Sequence, residues 1–283
     1  MPDAPHLPLT DPKEIEALAD DLPMAIDRDH FQQFVLGFPR RYLQKTPQME
    51  IVRHYLMMDA LGDKMVISSL YAQDGLWKLS LFTRDRTHLF ALIAGTLSHF
   101  GMDIVYAESF VNARAFVLEG FSFQDADDHL AEIGHSQKLL HFLEDVLEGK
   151  RDLESLLKRR WDRMEEEIQT QVLVDFDDEC HPLNTRLRLT CEDRFSLLYL
   201  ASCCISDEGH NIETAYVETA DRQVRDEFYL TYQGSKLTAQ QQRRLAQKLV
   251  QLGNCSFGVG SSFVSPHSDT SPALAEPTVE PSG

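Results

Sequence analysis

Apolar positions along the chain keep two periods, and the two alternate. Phe31, Phe34, Val35 and Phe38 recur three and four residues apart, as on one helix face, until Pro39 interrupts. Thr46-Pro47 reads as an N-cap followed by proline at the first helical position, ahead of the stripe Ile51, Val52, Tyr55 and Leu56, which Gly62-Asp63 ends. The period then shortens to two. Met65 to Tyr71, the turn Gln73-Asp74-Gly75 and the alternating Trp77, Leu79 and Leu81 predict a β-hairpin. Asp85 to Thr87 reads as the cap of a helix carrying Leu89, Leu92, Ile93, Leu97 and Phe100, stopped by Gly101. Strands over 104–111 and 115–123 flank Asn112-Ala113. Asp127 and Asp128 read as the cap of a helix with Leu130, Ile133, Leu140, Leu143 and Leu147, and a charged helix follows over 152–168. The order then recurs, with strands over 172–176 and 185–191 and a helix over 196–206 stopped by Gly209. Strands over 212–219 and 224–232 follow around Ala220-Asp221, and a last helix covers 239–252.

That recurrence is written in the residues. Ser80–Ser109 lies on Arg188–Val217 at a shift of 108 without a gap, and nine of thirty positions are identical. Average residue usage gives about two by chance. Leu81/Leu189 ends a strand, Asp85-Arg86/Asp193-Arg194 precedes a helix, Leu89/Leu197 and Leu92/Leu200 lie within it, and Gly101/Gly209 stops it. Ile104/Ile212 and Ala107/Ala215 lie on the next strand, and Ser98/Ser206 completes the set. Two copies of a β-α-β-β-α unit predict an α+β protein: two ferredoxin-like domains (βαββαβ), antiparallel sheets with helices on one face, behind a short helical segment.

Charge narrows the partners. Lys plus Arg total 27 against 45 Asp plus Glu, a formal net charge of -18. Phosphate backbones and anionic membranes both need a concentrated positive surface, so neither nucleic acid nor membrane is an expected partner. No apolar run reaches the roughly 20 residues of a membrane span, and no signal pattern opens the chain, so a cytoplasmic location is expected. Five cysteines without a CxxC spacing argue for reduced thiols. Residues 1–29 hold eight acids and five prolines, and the stretch from 253 is rich in Gly, Ser and Pro; both read as tails.

With the strand and helix order in view, Asp85-Arg86-Thr87-His88-Leu89-Phe90 with Gly101-Met102-Asp103-Ile104 resembles the ACT domain. So does Asp193-Arg194-Phe195-Ser196-Leu197-Leu198 with Gly209-His210-Asn211-Ile212. The flanks narrow the resemblance. Phe38-Pro39-Arg40-Arg41-Tyr42-Leu43 resembles the helical segment before the paired ACT domains of the PII uridylyltransferase/uridylyl-removing enzyme family, and Val172 to Glu179 and Asp226 to Thr231 are similar to its second ACT copy, so the resemblance runs over roughly 30–252. The division expected is an acidic tail over 1–29, a helical lead-in over 30–60 and a first ACT-like domain over 61–149. A linker helix over 150–168, a second ACT-like domain over 169–252 and a tail over 253–283 complete it.

The resemblance implies a regulatory module that senses an amino acid, glutamine first, in nitrogen regulation. The family's nucleotidyltransferase and phosphohydrolase motifs are not found, so no catalytic residue, cofactor or metal is expected. The ligand-binding residues it implies are Asp85, Arg86, His88, Leu89, Asp103 and Ile104 in the first copy, and Asp193, Arg194, Ser196, Leu197, Asn211 and Ile212 in the second. Ligand-binding ACT loops typically read Asp-Arg-Pro-Gly, the glycine letting a ligand approach the backbone. Here Thr87-His88 and Phe195-Ser196 stand in place of Pro-Gly, so a side chain is expected in that space.

Each residue also has a plainer reading. Asp85 and Asp193 serve as N-caps beside surface arginines, Asp103 and Asn211 as turn residues after a stop glycine, and His88 as a solvated helix start. Cys180-His181, Cys191, Cys203-Cys204 and His210 lack metal-ligand spacing, and Cys191 and Cys203 read as small core residues. The acids of 165–167 and 175–179 read as a solvated linker face. Two other functions stay open. One is a protein-interaction module with degenerate ACT domains, taking a PII-type or other regulatory protein or forming a homodimer through its sheets. The other is a uridylyltransferase like its relatives.

Overall fold

The computed structural model describes residues 27–164 and 170–254. The tails over 1–26 and 255–283, Cys255, and the acids 165–167 lie outside the described residues.

Asp27 opens the described chain by accepting a hydrogen bond from His30 N, so the last residues of the expected tail belong to helix α1 (Arg28–Leu36). Pro39 divides it from α2 (Arg40–Lys45), and Pro47, not Thr46, is the N-cap of α3 (Gln48–Leu61). Thr46 instead closes α2, because the extended backbone before a proline cannot continue a helix. The hairpin β1 (Val66–Gln73) and β2 (Leu76–Arg84) turns on Asp74 and Gly75, both at positive φ, as an Asp-Gly turn requires. Then come α4 (Leu89–His99), β3 (Asp103–Val111), β4 (Phe116–Gln124), α5 (His135–Leu147) and α6 (Leu153–Met164). The second unit runs β5 (Leu173–Asp177), β6 (Thr185–Glu192), α7 (Leu197–Asp207), β7 (Asn211–Tyr216), the short β8 (Thr219–Ala220), β9 (Gln223–Thr231) and α8 (Ala239–Gln251).

Helix α5 starts later than the sequence predicts. Asp125 Oδ2 takes Leu130 N, Asp128 turns left-handed, and a single 3₁₀ turn follows before Gly134 opens the helix at φ 83°. Leu130 is buried in that turn, while Ile133, expected on the apolar face, is fully exposed.

The strands form one antiparallel sheet in the order β1-β2-β4-β3-β7-β9-β6-β5, with β8 hydrogen-bonded to β9. Each half has ferredoxin-like neighbours, but its outer strand precedes the unit: the chain order is ββαββα, with β1 and β5 at the edges. The halves join where β3 pairs with β7. Tyr106 faces Tyr216, Ala107 faces Ala215 and Glu108 faces Thr214. At the repeat's shift of 108, Ala107 and Ala215 are the same position, so the seam is centred on a pair of equivalent residues and has local two-fold symmetry. Both strands carry the same register break, Ile104/Tyr106 and Ile212/Thr214.

Helices α4, α5, α7 and α8 cover one face, and a single buried cluster runs through both halves. It includes Leu81, Ile93, Leu97, Phe121 and Leu143, then Leu189, Ile205, Phe228 and Leu249. Across the seam α4 packs on α7, with α6 laid against them: Ala91, Leu153, Leu157, Tyr199 and Cys203 share one cluster. Cys191 and Cys203 are core residues, as expected; Cys180 is exposed. Gly95 is required there, since a Cβ would lie 2.7 Å from Tyr199 Cδ2 and 3.0 Å from Leu153 Cδ2.

The opposite face is covered over the first half only. Phe31, Phe34, Phe38, Tyr42, Ile51 and Tyr55 of α1–α3 bury Phe82, Phe110 and Leu118 of the sheet. The strand partners Phe82–Leu118 correspond to Thr190–Arg225 in the second half, where polar residues leave that face open. Arg41 ties this layer to the seam, donating to Ser109 O, Glu213 O, Glu213 Oε2 and Thr214 Oγ1. Tyr42 Oη and His54 Nδ1 meet at 3.0 Å inside the layer.

Two outcomes follow. Gly95→Ala gains helix propensity of about 1 kcal/mol but overpacks against Tyr199, which costs about 1–3 kcal/mol; chemical denaturation is expected to show net destabilisation, and a stabilised variant would contradict the close approach of α4 and α7. Burial pushes the His54 imidazole down to about 3, with Arg53 adding to it. Its unfolded value is near 6.5, so this contribution is complete above that pH and is lost as pH falls toward 3, by up to about 1.4 kcal/mol per pH unit. His54→Gln is expected to flatten the acid side of the wild-type stability curve, measured by denaturant titration.

Candidate functional site

The seam forces each half's β–α loop against the other half. After β2 the chain reaches His88 at φ 62°, and after β6 it reaches Ser196 at φ 59°. Both copies thus keep the left-handed backbone that suits glycine while carrying side chains, at about 1–2 kcal/mol each. The side chains cross the seam. His88 Nε2 meets Asp207 Oδ1 at 2.8 Å, and Ser196 Oγ meets Ser98 Oγ at 3.0 Å.

Asp85 and Asp193 are not N-caps: the caps are His88 and Ser196, neither of which makes a side-chain cap bond. The backbone N–H groups of Asp85 and Asp193 instead donate to Ala115 O and Arg222 O of the adjoining turns. The arginines are not solvated either. Arg86 donates to Leu147 O at the end of α5, and Arg194, 5% exposed, donates to Leu252 O after α8 at 2.5 Å. Each supplies a donor to the carbonyl end of its own half's last helix, a role that lies beyond the reach of local spacing.

On one side of the two-fold a cavity of about 400 Å³ opens, within the range of small-molecule sites. Six of the expected residues share it: Asp85, Arg86, His88 and Leu89 from the first half, Asn211 and Ile212 from the second. His88 stands on its wall and leaves the space open. The other six occupy the symmetry-related position. Asp103 and Ile104 start β3, with Asp103 facing Asp193, whose carboxyl burial pushes up. Ser196 and Leu197 are buried there with Arg194.

That second position is filled by α6. The Arg160 guanidinium lies 4.9 Å from the Phe195 ring and donates to Ser98 O and His99 O at the end of α4. Arg194 stacks 4.9 Å from the Trp161 ring. Phe195 corresponds to Thr87, so the filled side has the larger loop residue.

The sequence reading missed two acids. Leu81 pairs with Glu119 and Leu189 with Asp226, so these two carboxyls are equivalent. Their shift is 107, not 108, because the turns before β4 and β9 differ by one residue, and an ungapped comparison stops short of them. Aligning Val117-Leu118-Glu119 with Val224-Arg225-Asp226 would have found them. Both are almost wholly buried, and Glu119 Oε2 and Asp226 Oδ1 have no hydrogen-bond partner. Burial pushes the Glu119 carboxyl well above the carboxylate range, and the Asp226 carboxyl up to about 8. His210, also on the cavity, is pushed down by burial beside Tyr232.

Among the described residues no group of three or more His, Cys, Asp or Glu could hold a metal, and no helix is long and apolar enough to cross a membrane.

No protein-family model matches the chain. It is 29% identical over 211 residues to the bifunctional uridylyltransferase/uridylyl-removing enzyme of Bradyrhizobium diazoefficiens, covering 72% of this chain and 22% of that protein. The enzyme of the same name from Vibrio vulnificus is 26% identical over 205 residues, 70% of this chain and 23% of that one. That of Ruegeria pomeroyi is 28% identical over 148 residues, 52% and 16%. The chain spans 16% to 25% of the length of the curated relatives it matches, so the resemblance is to one region of them.

Asp226, the second-half counterpart of Glu119, gives the fold a pH signature. Its folded value near 8 exceeds the unfolded value of about 3.9, so the folded chain holds the extra proton between these limits. Stability from this residue therefore falls as pH rises through that window, by up to about 1.4 kcal/mol per unit. Asp226→Asn is expected to gain stability over wild type as pH rises from about 5 to 8, read as melting temperature; a constant difference would contradict the buried neutral acid.

Proposed function

We propose that this chain carries a non-catalytic regulatory region of two ACT-like domains that senses a small amino acid at the seam between them, with glutamine as the first candidate. The observation that carries this reading is the cavity: residues from both halves, expected from the repeat and the ACT resemblance, border one space of ligand size. The charge pattern supports it too. Asp85 and Glu213 on the walls suit the ammonium group of an amino acid, and the left-handed loop ahead of α4 suits its carboxylate. The matches to uridylyltransferase/uridylyl-removing enzymes support a nitrogen-regulatory setting. The activity in that name belongs to those proteins.

A second reading is an interaction module that takes a PII-type protein or a second copy of the chain. It draws on the outer strands β1 and β5, which leave open sheet edges, with Leu173 of β5 exposed. Co-elution of the purified chain with a PII protein, or a dimer in sedimentation, separates it from the first. Incubation with PII, UTP and magnesium tests the third reading, and a uridylylated product would overturn the non-catalytic one.

The direct test is isothermal titration of the full chain with glutamine and the other amino acids. One site per chain is expected, because Arg160, Trp161 and Phe195 occupy the symmetry-related position. No heat and no thermal shift with any amino acid would sink the sensing reading.

A further inference from the structure

The sheet-side wall of the cavity is a patch of two strand pairs. Ser109 faces Glu119 and Val111 faces Val117 across β3 and β4, and all four border the cavity. They share the sheet face of Ala107 and Phe121, which belong to the core under the helices. In this small and apolar patch Glu119 is the exception. Its Oε1 accepts from Ser109 Oγ at 3.0 Å. Its Oε2 is buried and has no hydrogen-bond partner. Leaving a buried polar atom unsatisfied costs about 1–3 kcal/mol, a cost the fold bears without return unless something binds there.

Burial is the main cause that favours the neutral acid; Asp85 and Glu213 add to it, while the Ser109 hydrogen bond and Arg41 act the other way. Ser109 faces it from β3, Asp85 from the loop before α4, Glu213 from β7 and Arg41 from α2. Arg41 is the near cation, and its bonds go to Ser109 O, Glu213 and Thr214. Arg86 is held by Leu147 O, and His88 by Asp207. A second anion brought to this wall would meet three carboxyl groups while the cations are engaged elsewhere.

We propose that Glu119 reads the ligand of this cavity: its carboxyl hydrogen-bonds an uncharged polar side chain, an amide or a hydroxyl, and rejects a carboxylate. The proposal rests on the reading of the cavity as an amino-acid site. A neutral acid offers one O–H donor and a free acceptor lobe, which is the complement of an amide. An ionised ligand side chain would have to lose its water with no charge to replace it. Burial, which pushes the Glu119 carboxyl up, keeps it in the form that can donate.

The test is titration of the full chain with glutamine, asparagine, glutamate and aspartate between about pH 6 and 9, for wild type and Glu119→Gln. The amides are expected to bind at least about tenfold tighter than the acids, a difference of roughly 1.4 kcal/mol. Wild-type affinity for the amides is expected to fall as pH rises and Glu119 ionises. Glu119→Gln, neutral at every pH of the series, is expected to lose the fall. Equal binding of glutamate and glutamine overturns the proposal. So does a fall that persists in Glu119→Gln. If the variant does not fold, the wild-type amide-against-acid series still decides. Binding that ignores Glu119 refutes this inference alone, whereas no binding of any amino acid at any pH refutes the amino-acid reading beneath it.

Discussion

The rest of the molecule depends on the backbone pairing of β3 with β7. Two edge strands that would otherwise present open hydrogen-bonding groups satisfy each other about Ala107 and Ala215. Once they do, the sheet is continuous, the core beneath it is shared, and α4 and α7 must lie side by side. The helices come so near that position 95 has room only for hydrogen where its repeat partner carries Cys203. The β–α loop of each half then lies against the helix end of the other, which is why His88 meets Asp207 and Ser196 meets Ser98. The cavity is a by-product of this geometry, since the seam puts the start of β7 beside the loop before α4.

Symmetry in the backbone is combined with asymmetry in the side chains. The Phe82–Leu118 pair makes one half of the outer sheet face apolar and gives α1–α3 a surface to cover, while Thr190–Arg225 leaves the other half to water. On the helix face, α6 follows the first half and falls across one of the two quasi-equivalent positions, where Arg160 and Trp161 engage Phe195 and Arg194. Arg41 connects the outer layer to both halves at once, holding a carbonyl of each strand at the seam. A duplicated unit has thereby been given one open position and one closed.

Much of this was legible in the sequence. The shift of 108, Gly101/Gly209 and the strand and helix periods carry the α+β class and the repeated unit, because apolar periodicity and stop glycines are local signals. The ACT resemblance implies Asp85, Arg86, His88, Leu89, Asn211 and Ile212 among its candidates, and the seam brings these six into one cavity. The rest was set by tertiary contact. Nothing near Arg86 or Arg194 announces that each reaches about 60 residues along the chain to a helix end. Asp85 has the composition of a cap, yet its backbone is engaged by the turn at Ala115, and the left-handed residue three positions on becomes the cap. Ile133 has helical spacing from Leu130 and is nonetheless outside the helix, since Gly134 begins it. Glu119 and Asp226 stayed hidden because one residue of turn length breaks the register of the repeat, and only strand pairing restores it.

The seam between β3 and β7 also fixes how the site responds to dilution. Two separate units meeting edge to edge would form such a cavity only as often as they met, so its population would follow protein concentration. Here the units share one polypeptide, and the second edge is always present at the effective concentration set by the connecting segment. A cavity built across an internal two-fold is therefore formed whatever the protein concentration.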